Sequence, residues 1–452
     1  MHVDPLIARR EKFGEIVVHG VYCLTQCLDA FSRYLIDQGT ESIAINNISA
    51  RFTNPVFLNK TISNVILDDD PTNTRLGVFD GVMLLTEVKL TWERQKIRLN
   101  EEVGNSRVIK SPIKDKEIES LKDAKGDFEL SLERSLTSLL FPDLQSVISR
   151  ELIATLFSLT RIVGMECPGL QSIFSSFKLR QQEDDNIPPG TINYHAFKVI
   201  PKYSKIDISV QTFNYTGVAN AFYRPRSIKQ AAFNEVQKSV ELGLFKNQVA
   251  LIIGGSRGLG EITAKIIAAG GGLSIITYHK GKEDADKIFK EITEAGGRCK
   301  TVHLNVTDPS EQMTMLKNEN LCPSHIYYFA SGRIAQPREQ AFEMDQFLTF
   351  SKMYLGAFFD LYRQYRACWG SNELVMFYPS SVFVDSNSKH IEYSITKHSG
   401  ELLSKYLERQ DSALKIYVER LPRLLTDQNL GFSYQQIENP LEVMQNILYK
   451  MN

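Results

Sequence analysis

The stretch ALIIGGSRGLGE, residues 250–261, constrains the fold of this chain more than any other. An apolar run leads directly into a glycine-rich turn, and a helix-like segment follows from Glu261. Glycines in such a turn let the backbone approach a pyrophosphate, while the N-terminus of the next helix offers N–H groups and a favourable dipole. The strand–turn–helix context makes this motif far more specific than glycines alone. The sequence therefore predicts a nucleotide-binding turn built on Gly254, Gly258 and Gly260.

The residues around this turn alternate between strand-like and helix-like runs. The strand-like runs are QVALIIGG, LSIITYH, CKTVHLNV, HIYYFAS, LVMFYPSS and LKIYVERL. Apolar strands separated by helical segments are typical of a parallel sheet with helical crossovers. We therefore predict an α/β, Rossmann-like, doubly wound parallel sheet over residues 246–452.

The spacing Gly254-x-x-x-Gly258-x-Gly260 resembles the short-chain dehydrogenase/reductase (SDR) family over residues 246 to about 428. The resemblance implies a nicotinamide-dependent oxidoreductase that forms a homo-oligomer, a dimer. The cofactor-binding residues that it implies are Gly254, Ser256, Arg257, Gly258, Leu259, Gly260, Asn305, Val306, Ala330, Ser331 and Lys397.

The residues after the second strand of this block indicate which nicotinamide is preferred. An acidic residue there would bind the ribose 2′-hydroxyl and favour NAD. This strand ends in ITYHKGK, with no acid before Glu283, and Arg257 lies in the glycine turn. A cationic surrounding suits the 2′-phosphate, so we predict NADP(H), although His279 and Lys280 could equally be solvated loop residues.

The segment EYSITKHSGE carries the predicted chemistry. Tyr393 and Lys397 are four residues apart and so lie on one face of a helix. An ammonium beside a phenol lowers the pKa of the phenol, which makes Tyr393 a general acid towards a carbonyl that receives hydride. The SDR resemblance also implies a serine about a dozen residues upstream. The Ser-Val pairing favours Ser381, whereas the commonest family spacing favours Ser380.

Several positions depart from the SDR pattern. The family's Asn-Asn-Ala-Gly stands here as YFASG, and the helix KMYLGAFF has Met353 where the family has a catalytic asparagine. Arg423 follows Pro422 where a glycine is usual. We therefore expect the asparagine proton relay to be absent or rebuilt. The sequence ends with NPLEVMQNILYKMN. We therefore do not expect the last strand of a typical SDR sheet, which often forms an oligomer contact.

The first 227 residues show a repeated pattern. Residues 1–105 contain one amphipathic helix, VYCLTQCLDAFSRYL, and then alternating strand-like segments. Residues 106–227 repeat this order with LQSVISRELIATLFSLTRIVG and four strand-like runs. Two tandem helix-then-strands blocks predict two copies of one α+β fold. A charged helical stretch over residues 228–245 is predicted to link them to the third block.

The opening HVDPLIARREKFGEIVVHGV resembles the MaoC-like, type 2 enoyl hydratase/dehydratase family. The resemblance implies a double hotdog in which His2 is catalytic, His19-Gly20 starts the central helix and the second copy is non-catalytic. The family's catalytic aspartate would lie five residues before His2, outside the chain. We therefore expect a start site placed too late, with in-frame Asp-x-Asn-Pro codons upstream of Met1; the alternative is genuine loss of that site.

The two resemblances converge on acyl thioesters. One implies reduction of a 3-oxoacyl thioester by NADPH, and the other implies dehydration of the 3-hydroxyacyl product, or the reverse hydration. The carrier is acyl carrier protein or coenzyme A, and NADPH leans towards fatty acid or polyketide biosynthesis. Alternatives are a reductase with an inert acyl-binding hotdog module and a pseudoenzyme scaffold that binds acyl carrier protein. A sugar-nucleotide epimerase also uses Tyr-x-x-x-Lys, but its glycine spacing usually differs from the spacing found here.

Composition narrows the remaining classes. The 452 residues carry 52 Lys and Arg against 53 Asp and Glu, which argues against a nucleic-acid binder. No apolar run approaches the ~20 residues of a transmembrane helix, and the first residues are polar and charged, without the basic-then-apolar order of a signal peptide. Six scattered cysteines suggest neither a disulfide framework nor a metal site. We expect a cytoplasmic enzyme without metal, membrane or nucleic-acid partner.

Overall fold

A computed structural model describes residues 8, 13–95, 103–104, 112–224, 226, 228–332, 342–385, 390–426 and 437–452. The chain divides into two compact units. The first ends at Arg226, and the second comprises the described residues from 228 onward, 437–452 included.

The first unit contains one antiparallel sheet with helices. The helices are α1 (Gly20–Asp37), α2 (Arg134–Leu140), α3 (Leu144–Val147) and α4 (Arg150–Arg161), with 3₁₀ turns at Ile118–Leu121 and Pro201–Tyr203 and a π turn at Ile162–Glu166. The strands are β1 (Ile43–Phe52), β2 (Ser63–Asp68), β3 (Thr74–Asp80), β4 (Met83–Arg94), β5 (Lys125–Glu129), β6 (Ser172–Gln181), β7 (Thr191–Ile200), β8 (Lys205–Thr212) and β9 (Tyr215–Tyr223). Their order in the sheet is β2-β3-β4-β1-β6-β9-β8-β7-β5.

The sheet of the first unit consists of two halves, each preceded by a long helix. Helix α1 precedes β1–β4 and α4 precedes β6–β9, and the halves meet where β1 pairs with β6. Helix α1 buries Leu24, Leu28 and Phe31, whose spacing places them on one face. Leu152 of α4 belongs to the same apolar cluster. The helix-then-strands order is confirmed for α1 with β1–β4 and for α4 with β6–β9, but in the second block β5 precedes the helices. Strands β2, β3 and β5 were not identified individually.

The helix predicted over residues 144–164 is interrupted in the structure. It forms the short α3 and the longer α4, separated by Ile148 and Ser149 in extended conformation. Ser149 caps α4, because its Oγ accepts a hydrogen bond from the backbone N–H of Leu152 at 3.3 Å. The predicted single helix is therefore wrong in this detail.

The second unit is an α/β layer structure. Its strands are β10 (Val249–Ile253), β11 (Leu273–Tyr278), β12 (Arg298–His303), β13 (His325–Tyr328), β14 (Leu374–Ser381) and β15 (Leu414–Leu421). Its helices are α5 (Phe233–Ser239), α6 (Gly258–Ala269), α7 (Lys282–Glu294), α8 (Ser310–Asn318), α9 (Met344–Ser351), α10 (Ala357–Trp369), α11 (Ile391–Gln410) and α12 (Pro440–Met451), with a π turn at Lys352–Gly356 and a 3₁₀ turn at Val382–Val384.

All six strands of the second unit pair in parallel, in the order β12-β11-β10-β13-β14-β15. Successive residues of β10 face opposite sides: Ala250 and Ile252 enter one apolar cluster, and Leu251 and Ile253 enter another. Burial on both faces explains why these strands are continuous apolar runs in the sequence. The predicted parallel α/β sheet and its six strands are confirmed.

The stretch predicted as a linker helix, residues 228–245, is helical only in α5. The helix ends because Val240 is extended and Gly243 has a φ of +90°. Phe233 and Val236 are buried in the apolar cluster that also contains Met444 of α12. This segment therefore packs as part of the second unit.

Candidate active site

The glycine turn joins β10 to α6 in a conformation that requires its glycines. Gly254 and Gly258 have φ values of +77° and +57°, which side chains disfavour. A Cβ on Gly260 would lie 2.3 Å from the carbonyl oxygen of Gly254, and one on Gly254 would lie 3.1 Å from the backbone nitrogen of Ala330. The turn is therefore closely packed and leaves the N-terminus of α6 at its end. Ser256 and Leu259 lie within this turn and the first residues of α6.

The residues expected to select the nicotinamide lie at the ends of neighbouring strands. Arg257 is the extended residue immediately before α6. At the end of β11, the ring of Tyr278 lies 5.5 Å from that of His303, and the ring of His279 lies 6.0 Å from the same histidine. The end of this strand is thus rich in imidazole and basic groups.

Two further predicted cofactor residues, Asn305 and Val306, follow β12. The Asn305 side chain turns back locally, because its Oδ1 accepts hydrogen bonds from the backbone and the hydroxyl of Thr307 at 3.2 and 2.9 Å. The Val306 side chain is buried in an apolar cluster. The Asn305 amide is therefore held by its own loop, and the Val306 side chain faces the core.

Tyr393 and Ser381 lie together. Ser381 ends β14 and Tyr393 is in the first turn of α11. Burial raises the pKa of Tyr393 to about 12, and a hydrogen bond with Ser381 lowers it in part. The sequence predicted a pKa lowered by Lys397; here burial dominates, because the Lys397 Nζ lies 5.7 Å from the ring centroid of Tyr393. Catalytic contacts of this kind tighten when substrate binds.

Ser380 has a different partner from Ser381. Its Oγ donates to Glu401 at 2.5 Å, and Glu401 is held by Arg420 through contacts of 2.8 and 2.7 Å. The Arg420 guanidinium is the main reason why the pKa of Glu401 is lowered. Of the two serines that the sequence left open, Ser381 is the one whose side chain lowers the pKa of Tyr393 in part.

Lys397 is buried on α11. Its Nζ donates to the carbonyl oxygen of Pro379 at 2.6 Å. Burial lowers the pKa of Lys397 to about 7. Three tyrosine rings surround the ammonium, with centroids at 4.1 Å (Tyr354), 5.1 Å (Tyr378) and 5.7 Å (Tyr393).

Tyr354 is the residue that sequence reasoning missed. Met353, the position that matches the family's asparagine, packs against an apolar cluster, and its carbonyl accepts from the Tyr328 hydroxyl at 2.6 Å. The next residue, Tyr354, has its hydroxyl 2.7 Å from the Oγ of Ser331 and its ring against Lys397. The π turn that contains both residues has no sequence signal that would have indicated this contact.

The predicted site in the first unit is only partly described. His2 lies outside the described residues. His19 precedes α1 in extended conformation, and Gly20 is the first residue of the helix. A Cβ on Gly20 would lie 2.7 Å from Cδ1 of Phe52, so the start of α1 approaches β1 closely.

The described residues contain neither a membrane-spanning helix nor a metal-binding cluster. None of their helices combines the length and apolarity that a bilayer crossing needs. The same residues contain no group of three or more His, Cys, Asp or Glu side chains that could hold a metal ion.

Family models match both ends of this architecture. Residues 1–76 match the model described as MaoC like domain, and residues 248–325 match that of short chain dehydrogenase. The chain therefore has a MaoC-like domain, of the hotdog type, near its N-terminus and a short-chain dehydrogenase domain in its second unit. The two resemblances predicted from sequence are confirmed.

Curated relatives match over short segments. A 3-oxoacyl-[acyl-carrier-protein] reductase of Synechocystis sp. is 37% identical over 70 residues, 16% of this chain and 28% of the relative. A 1-cyclohexenylcarbonyl-CoA reductase of Streptomyces collinus is 38% identical over 74 residues, 16% of this chain and 26% of the relative. The matched stretch thus spans little more than a quarter of either relative.

Solved structures align with about half of the chain. The angucycline C-6 ketoreductase LanV with bound NADP is 16% identical, with 47% of this chain and 91% of that chain covered and a TM-score of 0.42. The FolM alternative dihydrofolate reductase 1 from Brucella suis in complex with NADP is 15% identical, with 45% and 88% covered and a TM-score of 0.41.

Proposed function

We propose that the second unit is an NADP(H)-dependent oxidoreductase that reduces a 3-oxoacyl thioester, carried on acyl carrier protein or coenzyme A, to the 3-hydroxyacyl thioester. The observation that carries the proposal is that Tyr393 is joined to the glycine turn by a chain of direct contacts. The turn packs on the backbone of Ala330, the adjacent Ser331 bonds to Tyr354, and Tyr354 lies 5.6 Å from the Tyr393 ring.

The glycine turn fits the pyrophosphate of a dinucleotide. A side chain at Gly260 would collide with the carbonyl oxygen of Gly254, and one at Gly254 would lie only 3.1 Å from the nitrogen of Ala330, so the turn packs this tightly only because both residues lack a Cβ. Arg257 and Lys280 would hold the 2′-phosphate that distinguishes NADP(H). When bound, the cofactor supplies the hydride. The substrate class is supported by the matched relative that is a 3-oxoacyl-[acyl-carrier-protein] reductase.

The residues of the second unit supply the proton and orient the carbonyl. As hydride reaches the C3 carbon, the carbonyl oxygen takes the Tyr393 hydroxyl proton, and the ketone becomes an alcohol. Ser381 donates a hydrogen bond to the same oxygen while charge develops there. Because burial raises the pKa of Tyr393 to about 12, the phenol holds its proton until the substrate oxygen becomes basic. The charge on Lys397 favours its release.

The first unit is proposed to be a double hotdog that acts on the reduced product. Its two halves each combine a long helix with four antiparallel strands, α1 with β1–β4 and α4 with β6–β9. His2 would take part in removing the C2 proton while the C3 hydroxyl leaves as water, which yields the enoyl thioester. The N–H of Gly20 would stabilise the thioester oxyanion. The second half would shape the acyl site.

The experiment is a two-stage assay of the whole chain. NADPH is first titrated against the protein by fluorescence, and NADPH oxidation is then followed with an acetoacetyl thioester, with the products identified by mass spectrometry. Binding followed by substrate-dependent oxidation and a 3-hydroxyacyl or enoyl product supports the proposal. Absence of binding and oxidation would refute it and favour the scaffold alternative, to which the lost asparagine at position 353 points.

A further inference from the structure

The ammonium of Lys397 is enclosed by aromatic rings. Its side chain is 4% exposed, and the nearest ring centroid, that of Tyr354, is 4.1 Å from Nζ. Tyr378 and Tyr393 lie at 5.1 and 5.7 Å, and the Pro379 carbonyl accepts its hydrogen bond. All three rings lie within the ~6 Å range of cation–π attraction.

No carboxylate in the described parts of the chain pairs with Lys397. Glu401, one turn further along α11, is held by Ser380 and by Arg420 of β15. Asp345 of α9 and Lys352 of the π turn are exposed. The charge is therefore balanced by one carbonyl and by ring faces, which become effective partners because the ammonium is buried.

Tyr354 is held firmly in its place. Its side chain is 1% exposed, and its hydroxyl is fixed by Ser331 at 2.7 Å. The rings of Phe350 and Tyr393 lie 5.7 and 5.6 Å from it. A π turn places this residue, rather than Met353, against the lysine, and such turns are frequent at functional sites.

We propose that Tyr354 is a positioning residue whose ring face keeps Lys397 protonated beside Tyr393. The role rests on the proposed reductase function, because the charge of Lys397 serves there to release the Tyr393 proton. Where the family has an asparagine, this chain has a cation–π contact between the Tyr354 ring and the Lys397 ammonium. The ring, rather than the hydroxyl, does this, since the ammonium lies over the ring.

The test weakens the negative electrostatic potential of the ring face at position 354 while keeping the size of the ring nearly the same. Tyr354→Phe is the parent variant, and 4-fluoro-, 3,5-difluoro- and pentafluorophenylalanine are then placed at position 354. The lysine side chains are ¹³C-labelled, the Lys397 signal is assigned by its loss in Lys397→Met, and its pH titration is followed by NMR. The same fluorinated series at Phe358, which packs on Tyr378 at 5.0 Å, is the control.

We expect Tyr354→Phe to leave the titration midpoint of Lys397 within a few tenths of a pH unit. The fluorinated rings should lower it stepwise, by about one pH unit in total, the size of a desolvated cation–π contact. The high-pH limb of kcat/KM for thioester reduction should move down in the same order. The Phe358 series should change neither.

A midpoint that is the same for all rings at position 354 would overturn the inference. The titration needs no substrate, so the two proposals can fail separately. A stepwise shift in a chain that reduces no thioester would support the ring–lysine contact and refute the reductase. If the Lys397 midpoint is the same for all rings at position 354 and the chain still reduces the thioester, only the role of Tyr354 is refuted.

Discussion

Two adjacent serines at the end of β14 have different partners, although the sequence makes them equivalent candidates. Ser381 lowers the pKa of Tyr393 in part, whereas Ser380 donates to Glu401, itself held by Arg420. A hydroxyl already committed to a carboxylate is not available to a substrate oxygen. We therefore propose that Ser381 contacts the substrate and that the contact of Ser380 is structural.

This assignment predicts opposite effects for the two alanine variants. Ser381→Ala should lower kcat by about 10²-fold, as expected for removal of one donor to a developing oxyanion, with little change in thermal stability. Ser380→Ala should keep kcat within about threefold and lower the free energy of unfolding by about 1–3 kcal/mol, because Glu401 loses a buried donor. Steady-state rates and thermal melts of both variants check this. The reverse pattern would assign the role to Ser380.

Arg257 is predicted to determine part of the preference for NADPH over NADH. Arg257→Ala should narrow the preference for NADPH over NADH, by about tenfold for one lost charge-assisted contact to the 2′-phosphate. The ratio of kcat/KM for the two cofactors is the measurement. Arg409→Ala, an exposed arginine on α11, is the control. A wild-type preference for NADH would contradict the cofactor proposal outright.

The approach of α11 to β14 depends on a single glycine. A Cβ on Gly400 would lie 1.9 Å from the Tyr378 hydroxyl oxygen, which is buried. The ring of Tyr378 in turn lies over the Lys397 ammonium. The helix can therefore carry Lys397 to the strand only if position 400 has no side chain.

Gly400→Ala should separate this helix from the strand. We expect a loss of about 1–3 kcal/mol from overpacking and a lower reductase rate, because Tyr378 must move away from Lys397. Gly356→Ala is the matched control, since a Cβ there meets nothing closer than 3.9 Å. Thermal melts and NADPH oxidation rates of the two variants are compared. Equal behaviour of both variants would show that this close approach does not matter.

The elements differ in how well the sequence predicts them. The six parallel strands are buried on both faces, so their apolar runs stand out. Strand β2 is mostly exposed and has an apolar run of only three residues, 65–67, which explains why it was not identified. The interruption at Ser149 depends on one side-chain cap within an otherwise helical pattern.

The candidate site was predicted in the same uneven way. The glycine turn, Tyr393 and Lys397 belong to local motifs, so their spacing alone indicated them. The contact between Tyr354 and Lys397 joins elements distant in sequence through a π turn, which shifts the helix face by one residue. No periodic pattern encodes that shift. Which serine meets Tyr393 likewise depends on the register of β14 against α11.

The two units together are proposed to perform consecutive steps on one acyl group. Given an acetoacetyl thioester and NADPH, the chain should form 3-hydroxyacyl and then enoyl thioester. His2→Ala should stop the reaction at the 3-hydroxyacyl product while leaving the rate of NADPH oxidation unchanged. His195→Ala, a half-exposed histidine of the first unit, serves as the control. Identical products from wild type and His2→Ala would leave a reductase with an acyl-binding module.

Tyr393 is proposed to protonate the carbonyl that receives hydride, and its phenylalanine variant reports on this role. NADPH oxidation with an acetoacetyl thioester is measured for wild type, Tyr393→Phe and Tyr406→Phe, the last being an exposed tyrosine on the same helix. We predict that Tyr393→Phe loses about 10²–10⁴-fold in kcat while still binding NADPH, and that Tyr406→Phe equals wild type. Equal rates for Tyr393→Phe and wild type would show that Tyr393 does not donate the proton.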